Sequence, residues 1–146
     1  MRTRINQNKE QIFCDWRHRW VRLTPEEWVR QQLLHRLVEQ LAYPASLIAV
    51  EVPFQSPITN HQSPINAKRY RADAVVYNRQ MQPLMIIECK AETVPLTQRT
   101  LDQAVSYNRT FQVPYLLLHN GPQSIFVSLC ADDILTSSTI PPYAEL

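Results

Sequence analysis

Glycine occurs once in 146 residues, at Gly121, and that scarcity alone excludes a phosphate-cradling Walker loop, whose backbone needs glycines at fixed spacing. The three cysteines, Cys14, Cys89 and Cys130, form no CxxC pair, so neither a disulfide framework nor a zinc site is indicated. The histidines, His18, His35, His61 and His119, fall into no HxH or HExxH spacing, which removes the usual zinc chemistry. No Gly-x-Ser-x-Gly elbow marks a nucleophilic serine, so covalent catalysis has no support. Long hydrophobic runs are also missing. Leu84 to Ile87 and Tyr115 to Leu118 are among the longest, against the roughly 20 residues needed to cross a bilayer. The basic start is followed by no apolar signal-peptide region, so the expected setting is cytoplasmic, with no membrane partner. A formal net charge of +2 is too small to name a partner by itself.

What is present suits one domain with a real core: 45% of the residues are hydrophobic. Residues 1–23 read as a basic N-terminal segment and 24–146 as the core. Arg2, Arg4, Lys9, Arg17, Arg19, Arg22 and Arg30 are interleaved with Trp16, Trp20 and Trp28. That mixture could hold phosphates and stack on bases, or be a solvated face packed by its tryptophans. Thr24-Pro25-Glu26-Glu27 is a helix start, with threonine to cap, proline at the first position and a carboxylate where a capping box wants one. Leu34, Leu37, Val38 and Leu41 continue the helical stripe, Glu27 lies on it, and Tyr43-Pro44 ends it.

Leu47 to Val52 reads as a strand, and Phe54 to Ala67 as an exposed connection. Arg69 to Tyr77 and Leu84 to Ala91 read as adjacent strands, the second apolar on both faces and therefore central. Thr97 to Phe111 carries Leu101, Ala104, Val105 and Asn108 at helical spacing, and Pro114 marks its exit. Two further strands, Tyr115 to His119 and Ser124 to Leu129, flank Asn120-Gly121 as a hairpin. The order, helix, three strands, helix, two strands, implies an α/β fold with a central mixed sheet flanked by helices.

Chemistry concentrates at the third and fourth of these elements. Asp73 is an acid among apolar neighbours in a strand and needs a partner there. Glu88 and Lys90 stand at i and i+2 at the end of the most apolar strand, so they share a face, with Cys89 between them facing the other way. Two carboxylates converging beside a lysine suit a Mg²⁺ (or Mn²⁺) ion that retains waters, one of which can attack phosphorus. Lys90 would position or deprotonate that water. An isolated Glu-x-Lys is ordinarily an exposed salt bridge. Order and context make this one specific: an Asp on the preceding strand, then a helix carrying Gln103 and Tyr107 one turn apart on a common face. Arg69 and Arg71 alternate with Asp73 and could bring phosphate near the ion, or balance the carboxylates.

In these residues the chain resembles the PD-(D/E)XK nucleases, and within them the N-terminal nuclease domain of type I restriction enzyme R subunits. The resemblance runs over most of the chain and implies a restriction-endonuclease-like core. Asp73 takes the family's aspartate, Glu88 its acidic position and Lys90 its lysine, while Gln103-Ala-Val-Ser-Tyr107 is similar to the Gln-x-x-x-Tyr element that follows. Leu23 to Gln31 is similar to the opening helix of small stand-alone relatives, which implies that Glu27 reaches the metal. The Cys89 backbone carbonyl is implied as a further ligand, and Arg69, Arg71 and Tyr107 as nucleic-acid contacts. Ala72 stands where the family name expects proline, a departure of geometry and not of ligand, and Ala42 stands where relatives often carry glycine at the helix exit.

The implied activity is metal-dependent hydrolysis of DNA phosphodiester bonds, with DNA as partner and other restriction-system subunits or a second copy of the chain as further partners. The large R subunits carry a helicase-like motor after the nuclease, and with one glycine this chain holds no phosphate loop for such a motor, so DNA translocation is not expected of this chain alone. The alternatives are a non-catalytic DNA-binding or accessory module of the same fold, and an interaction domain unrelated to nucleic acid. The converging carboxylates argue against the first, because without a metal they repel phosphate.

Overall fold

In the computed structural model of the chain, which describes residues 1–54, 70–130 and 133–146, the capping signal at Thr24 is realised. The Thr24 hydroxyl accepts from the Glu27 amide at 3.1 Å and starts α1 (Pro25–Leu41). Val29, Leu33, Leu34 and Leu37 form the helix's buried stripe. At the exit Ala42 adopts φ 58°, and its amide bonds Leu37 O.

Among the described residues, α1 leads through a short 3₁₀ turn into a six-stranded sheet. Its strands are β4 (Ile48–Phe54), β5 (Tyr70–Tyr77), β6 (Pro83–Cys89), β7 (Tyr115–His119), β8 (Ser124–Cys130) and β9 (Asp133–Ser137), adjacent in chain order. Only β6 and β7 run parallel, which forces a crossover, and α2 (Gln98–Phe111) supplies it. β6 is central, as its two-sided apolar sequence predicts, with Met85 and Ile87 on one face and Ile86 on the other. The first face packs on α1 and on Tyr43 and Ile140; the second meets Leu101, Ala104 and Val105 of α2. The connection expected after Phe54 lies outside the described residues.

Two parts of the architecture differ from the sequence reading. Residues 1–23 are not merely a basic segment: β1 (Thr3–Asn6), β2 (Lys9–Cys14) and β3 (Arg19–Arg22) form an antiparallel sheet. The β1–β2 turn is Gln7-Asn8, at φ 50° and 62°, a two-residue connection with both residues left-handed, made without the glycine that would have announced it. β9 is the other addition. Its residues are exposed throughout, so no apolar alternation marked it. The Asn120-Gly121 turn is present, with Gly121 at φ 107°, and the Asn120 side chain accepts from the Gln123 amide at 2.9 Å to close it.

Alternation inverts within the sheet at one level. Ile48 and Val50 face α1 while Val52 faces α2, and on the neighbouring strand Ala74 and Val76 face α1 while Ala72 faces α2. Both inversions meet where Glu51, at φ 55°, lies between the Val50–Ala74 and Val52–Ala72 pairs. A left-handed residue inside a strand turns the following side chains to the other face, and it sits beside Asp73.

The left-handed exit at Ala42 is a measurable load, because a Cβ in that conformation costs about 1–2 kcal/mol that glycine avoids. Ala42→Gly is expected to stabilise the domain by about 1 kcal/mol, raising the midpoint of thermal unfolding by roughly 3 °C, as read by circular dichroism. An unchanged or lower midpoint would show that the Ala42 side chain contributes packing that outweighs the backbone gain.

Candidate functional site

The β5–β6 ladder runs from Tyr77 to the Ala74–Ile87 pair, so Asp73 and Glu88 begin the stretch where the two strands no longer pair. There a side chain replaces the ladder: Asp73 Oδ2 accepts from the Cys89 amide at 2.8 Å. Asp73 Oδ1 lies 3.6 Å from Arg30 Nη1, which also bonds the Asp73 carbonyl oxygen at 3.4 Å. The Asp73 side chain remains about one-third exposed (31%), held by the protein yet open to solvent.

Glu88 is half-buried and lines a small cleft under α2 with Ala104, Tyr107 and Asn108. Cys89 points to the α1 side, so the expected split of Glu88 from Cys89 holds. The thiol is pushed well above its ordinary pKa by burial first, then by the negative charges of Asp73, Glu88 and Glu27, against the opposing pull of Arg30. It is an inert thiol. Lys90 directly follows β6, half-buried, its amide bonded to His119 O at 2.8 Å.

Tyr107 lines the Glu88 cleft, and both it and Gln103, one turn earlier, are exposed on α2. Arg71 is exposed on β5. Arg69 lies outside the described residues. Asn108 is buried by a structural task, its amide group bonding both the N–H and the carbonyl of Val113 where α2 ends.

Glu27 points inward, as its place on the apolar stripe predicts, and is 5% exposed. Arg17 and Arg30 both pair with its carboxylate, and Gln31 Nε2 donates to it at 2.8 Å. Burial pushes the carboxyl's pKa up, but the hydrogen bonds from Arg17, Gln31 and Arg30 outweigh it and hold Glu27 below the usual carboxylate value. Burial likewise works against the Arg17 cation, and its bonds to Glu27 and Cys14 raise its pKa overall.

Three residues of this centre were not singled out by the sequence. Arg17 and Arg30 read as members of an outward basic cluster, but both face in. Glu51 read as an ordinary strand residue. It lies 3.6 Å from Arg17 Nη1 and 3.7 Å from Arg30 Nη2. The tryptophan interleaving is likewise partly structural. Trp16 packs edge-on to His35 against the core, and Trp20 meets Phe13 at 5.5 Å with Arg4 above it.

Among the described residues no three His, Cys, Asp or Glu side chains form a cage for an ion by themselves. Mg²⁺ asks for less, since it binds through one or two carboxylates and keeps several waters. Asp73 and Glu88 with a backbone carbonyl are hard oxygen donors of that kind.

Residues 25–139 match the family model described as type I restriction enzyme R protein N terminus. Among solved structures the chain is similar to a fragment described as an HsdR subunit of a type I restriction enzyme from Vibrio vulnificus YJ016. The TM-score is 0.60 at 17% identity, over 85% of this chain and 24% of that one. The chain thus spans about a quarter of that relative, and the likeness is one of fold. A search of curated proteins gave no match.

His119, whose carbonyl anchors Lys90, is buried with Nδ1 2.7 Å from Ser124 Oγ. Burial, then the Arg36 charge, lowers its pKa from 6.5 to about 4. Between those values the unfolded chain takes up a proton that the folded chain refuses, so stability is lost as the pH falls from 6.5 toward about 4. Denaturant midpoints measured across that window should fall for the wild type and fall less for His119→Asn, which retains a polar group near the Nδ1 position. Parallel curves for the two proteins would show that His119 is not the group responsible.

Proposed function

The chain belongs to the family of type I restriction enzyme R protein N termini, and we propose that it is a metal-dependent nuclease domain acting on DNA. The observation that carries this reading is the Asp73–Cys89 bond at 2.8 Å. It ties the aspartate to the strand of Glu88 and Lys90 at the level where the ladder has ended, which supports the convergence that the PD-(D/E)XK pattern requires. Asp73, Glu88 and the Cys89 carbonyl would hold Mg²⁺ (or Mn²⁺). When bound, such an ion supplies Lewis acidity toward the scissile phosphate and an activated water.

The remaining roles belong to the chain's own side chains. Lys90, carried past the end of β6, orients the attacking water and offsets the negative charge that develops on the phosphate. Tyr107, beside Glu88 under α2, meets the nucleic-acid backbone, and Arg71 offers an exposed cation one strand away. Gln103 and Arg69 complete the set that the sequence motif nominates. DNA is the substrate on this reading, and other restriction-system subunits or a second copy of the chain are the partners.

Supercoiled plasmid incubated with the protein in Mg²⁺ or Mn²⁺ should be nicked. Lys90→Met should lower the rate by about a hundredfold to a thousandfold, the usual effect of losing one charge-stabilising donor, while calorimetry shows Mn²⁺ binding retained. Asp73→Ala with Glu88→Ala should lose both nicking and Mn²⁺ binding. Equal nicking by wild type and Lys90→Met would mean that the activity comes from elsewhere.

A further inference from the structure

We infer that Arg30, anchored by Glu27, is a positioning residue that sets the orientation of the Asp73 carboxylate, and that Glu27 serves the site through Arg30 and not as a metal ligand. What Asp73 is oriented to do rests on the nuclease reading above; that Arg30 orients it does not.

The geometry is specific. Arg30 is 7% exposed, and its Nη1 reaches both the Asp73 carbonyl oxygen at 3.4 Å and Asp73 Oδ1 at 3.6 Å. The other carboxylate oxygen, Oδ2, is taken by the Cys89 amide. Asp73 is therefore held on two sides, by α1 through Oδ1 and by β6 through Oδ2, and its plane is fixed between them. A guanidinium suits this task because its nitrogens keep a rigid fork. Here Nη2 turns back to Glu27 Oε2, leaving Nη1 for Asp73.

Both carboxylate oxygens of Glu27 are engaged in that anchoring. Its Oε1 takes Arg17 and Gln31 and its Oε2 takes Arg30. Direct ligation would have to break charge-assisted bonds in a buried setting, where replacing them is costly. The orphaned Arg30 Nε, buried without a hydrogen-bond partner, fits the same picture. The guanidinium leaves one donor unsatisfied in order to keep its two terminal nitrogens on the carboxylates.

The test uses Arg30→Met, Arg30→Lys and Glu27→Gln, with Asp73→Ala as reference, each checked for folding by thermal melting. The first readout is the Cys89 amide, followed by its ¹H–¹⁵N shift and its solvent exchange, because that N–H reports the Asp73 carboxylate directly and needs no metal. In Arg30→Met it should move to the position seen in Asp73→Ala and lose protection, and Arg30→Lys should restore part of the shift. Mn²⁺ affinity by calorimetry should fall by about 10–100-fold in Arg30→Met, as is common when a group orienting a ligand is removed. Glu27→Gln, which keeps the size of the side chain, should move the amide in the same direction, and it carries the test if Arg30→Met does not fold.

A Cys89 amide unmoved in a folded Arg30→Met or Glu27→Gln protein overturns the inference. So does loss of Mn²⁺ binding in Glu27→Gln with the amide in place, which would make Glu27 a ligand. If the amide shifts as described but the wild type neither binds Mn²⁺ nor nicks DNA, the positioning role stands and the nuclease reading falls.

Discussion

The buried cluster around Arg30 is the interaction on which the placement of the candidate site depends. Two arginines, Arg17 and Arg30, meet three carboxylates, Glu27, Glu51 and Asp73, drawn from the β2–β3 loop, α1, β4 and β5. Such a cluster is a weak source of net stability, since desolvating the charges offsets much of their attraction. Its constraint lies in the cost of breaking it. Removing one of its buried members, Glu27 or Arg30, strands the other in low dielectric, which typically costs about 3–5 kcal/mol, so arrangements that separate these elements are penalised. The hydrophobic stripe of α1 would tolerate small rotations over the sheet. The charges do not, and they fix which turn of the helix faces Asp73.

Scarcity of glycine shapes the same region. Among the described residues seven non-glycine positions are left-handed, including Ala42 at the α1 exit and Glu51 within β4. At turns this is ordinary, and Asn8 tolerates it readily. Inside a strand it is strained, and strain of that kind persists where neighbouring contacts over-determine the backbone. Glu51 has such contacts: the pairs Val50–Ala74 and Val52–Ala72 hold the strand on both sides, and Arg17 and Arg30 draw its carboxylate. The result is an inversion of facing in both strands at the level of Asp73, which lets Asp73 reach Arg30 on the α1 side while β6 keeps Glu88 under α2.

What the sequence revealed and what it hid follow from the kind of signal each feature carries. α1 was legible from Thr24-Pro25 and its leucine stripe, β6 from its unbroken apolar run, and α2 from Leu101, Ala104 and Val105, because burial writes a period into the residues. Asp73, Glu88 and Lys90 were nominated by order and spacing, and what the structure adds is the bond from Asp73 to the strand that carries the other two. β1 to β3 were hidden because their first turn uses Gln7 and Asn8 in place of glycine, and β9 because no face of it is buried. Arg17 and Arg30 were misread as an outward basic patch, since a charge gives no sign in one dimension of which way it points. Glu51 could have been suspected from a carboxylate closing an apolar strand, but its left-handed backbone leaves no trace in residue type.

The division of the site between two faces of one sheet explains why its parts are so unequal in burial. On the α1 side the carboxylates are neutralised by arginines before any ligand arrives, and this allows Glu27 to remain ionised while nearly fully buried. On the α2 side Glu88 and Tyr107 border a cleft open at the helix surface. Asp73 lies at the boundary, its Oδ1 toward the first environment and its Oδ2 on the strand that leads to the second. A carboxylate placed wholly on the α1 side would be spent on ion pairs, and one placed wholly in solvent would lack orientation. The early end of the β5–β6 ladder provides the intermediate position: it frees the Cys89 amide from the ladder and gives it to Asp73. A backbone hydrogen bond that the sheet gives up thus becomes the bond that orients the aspartate.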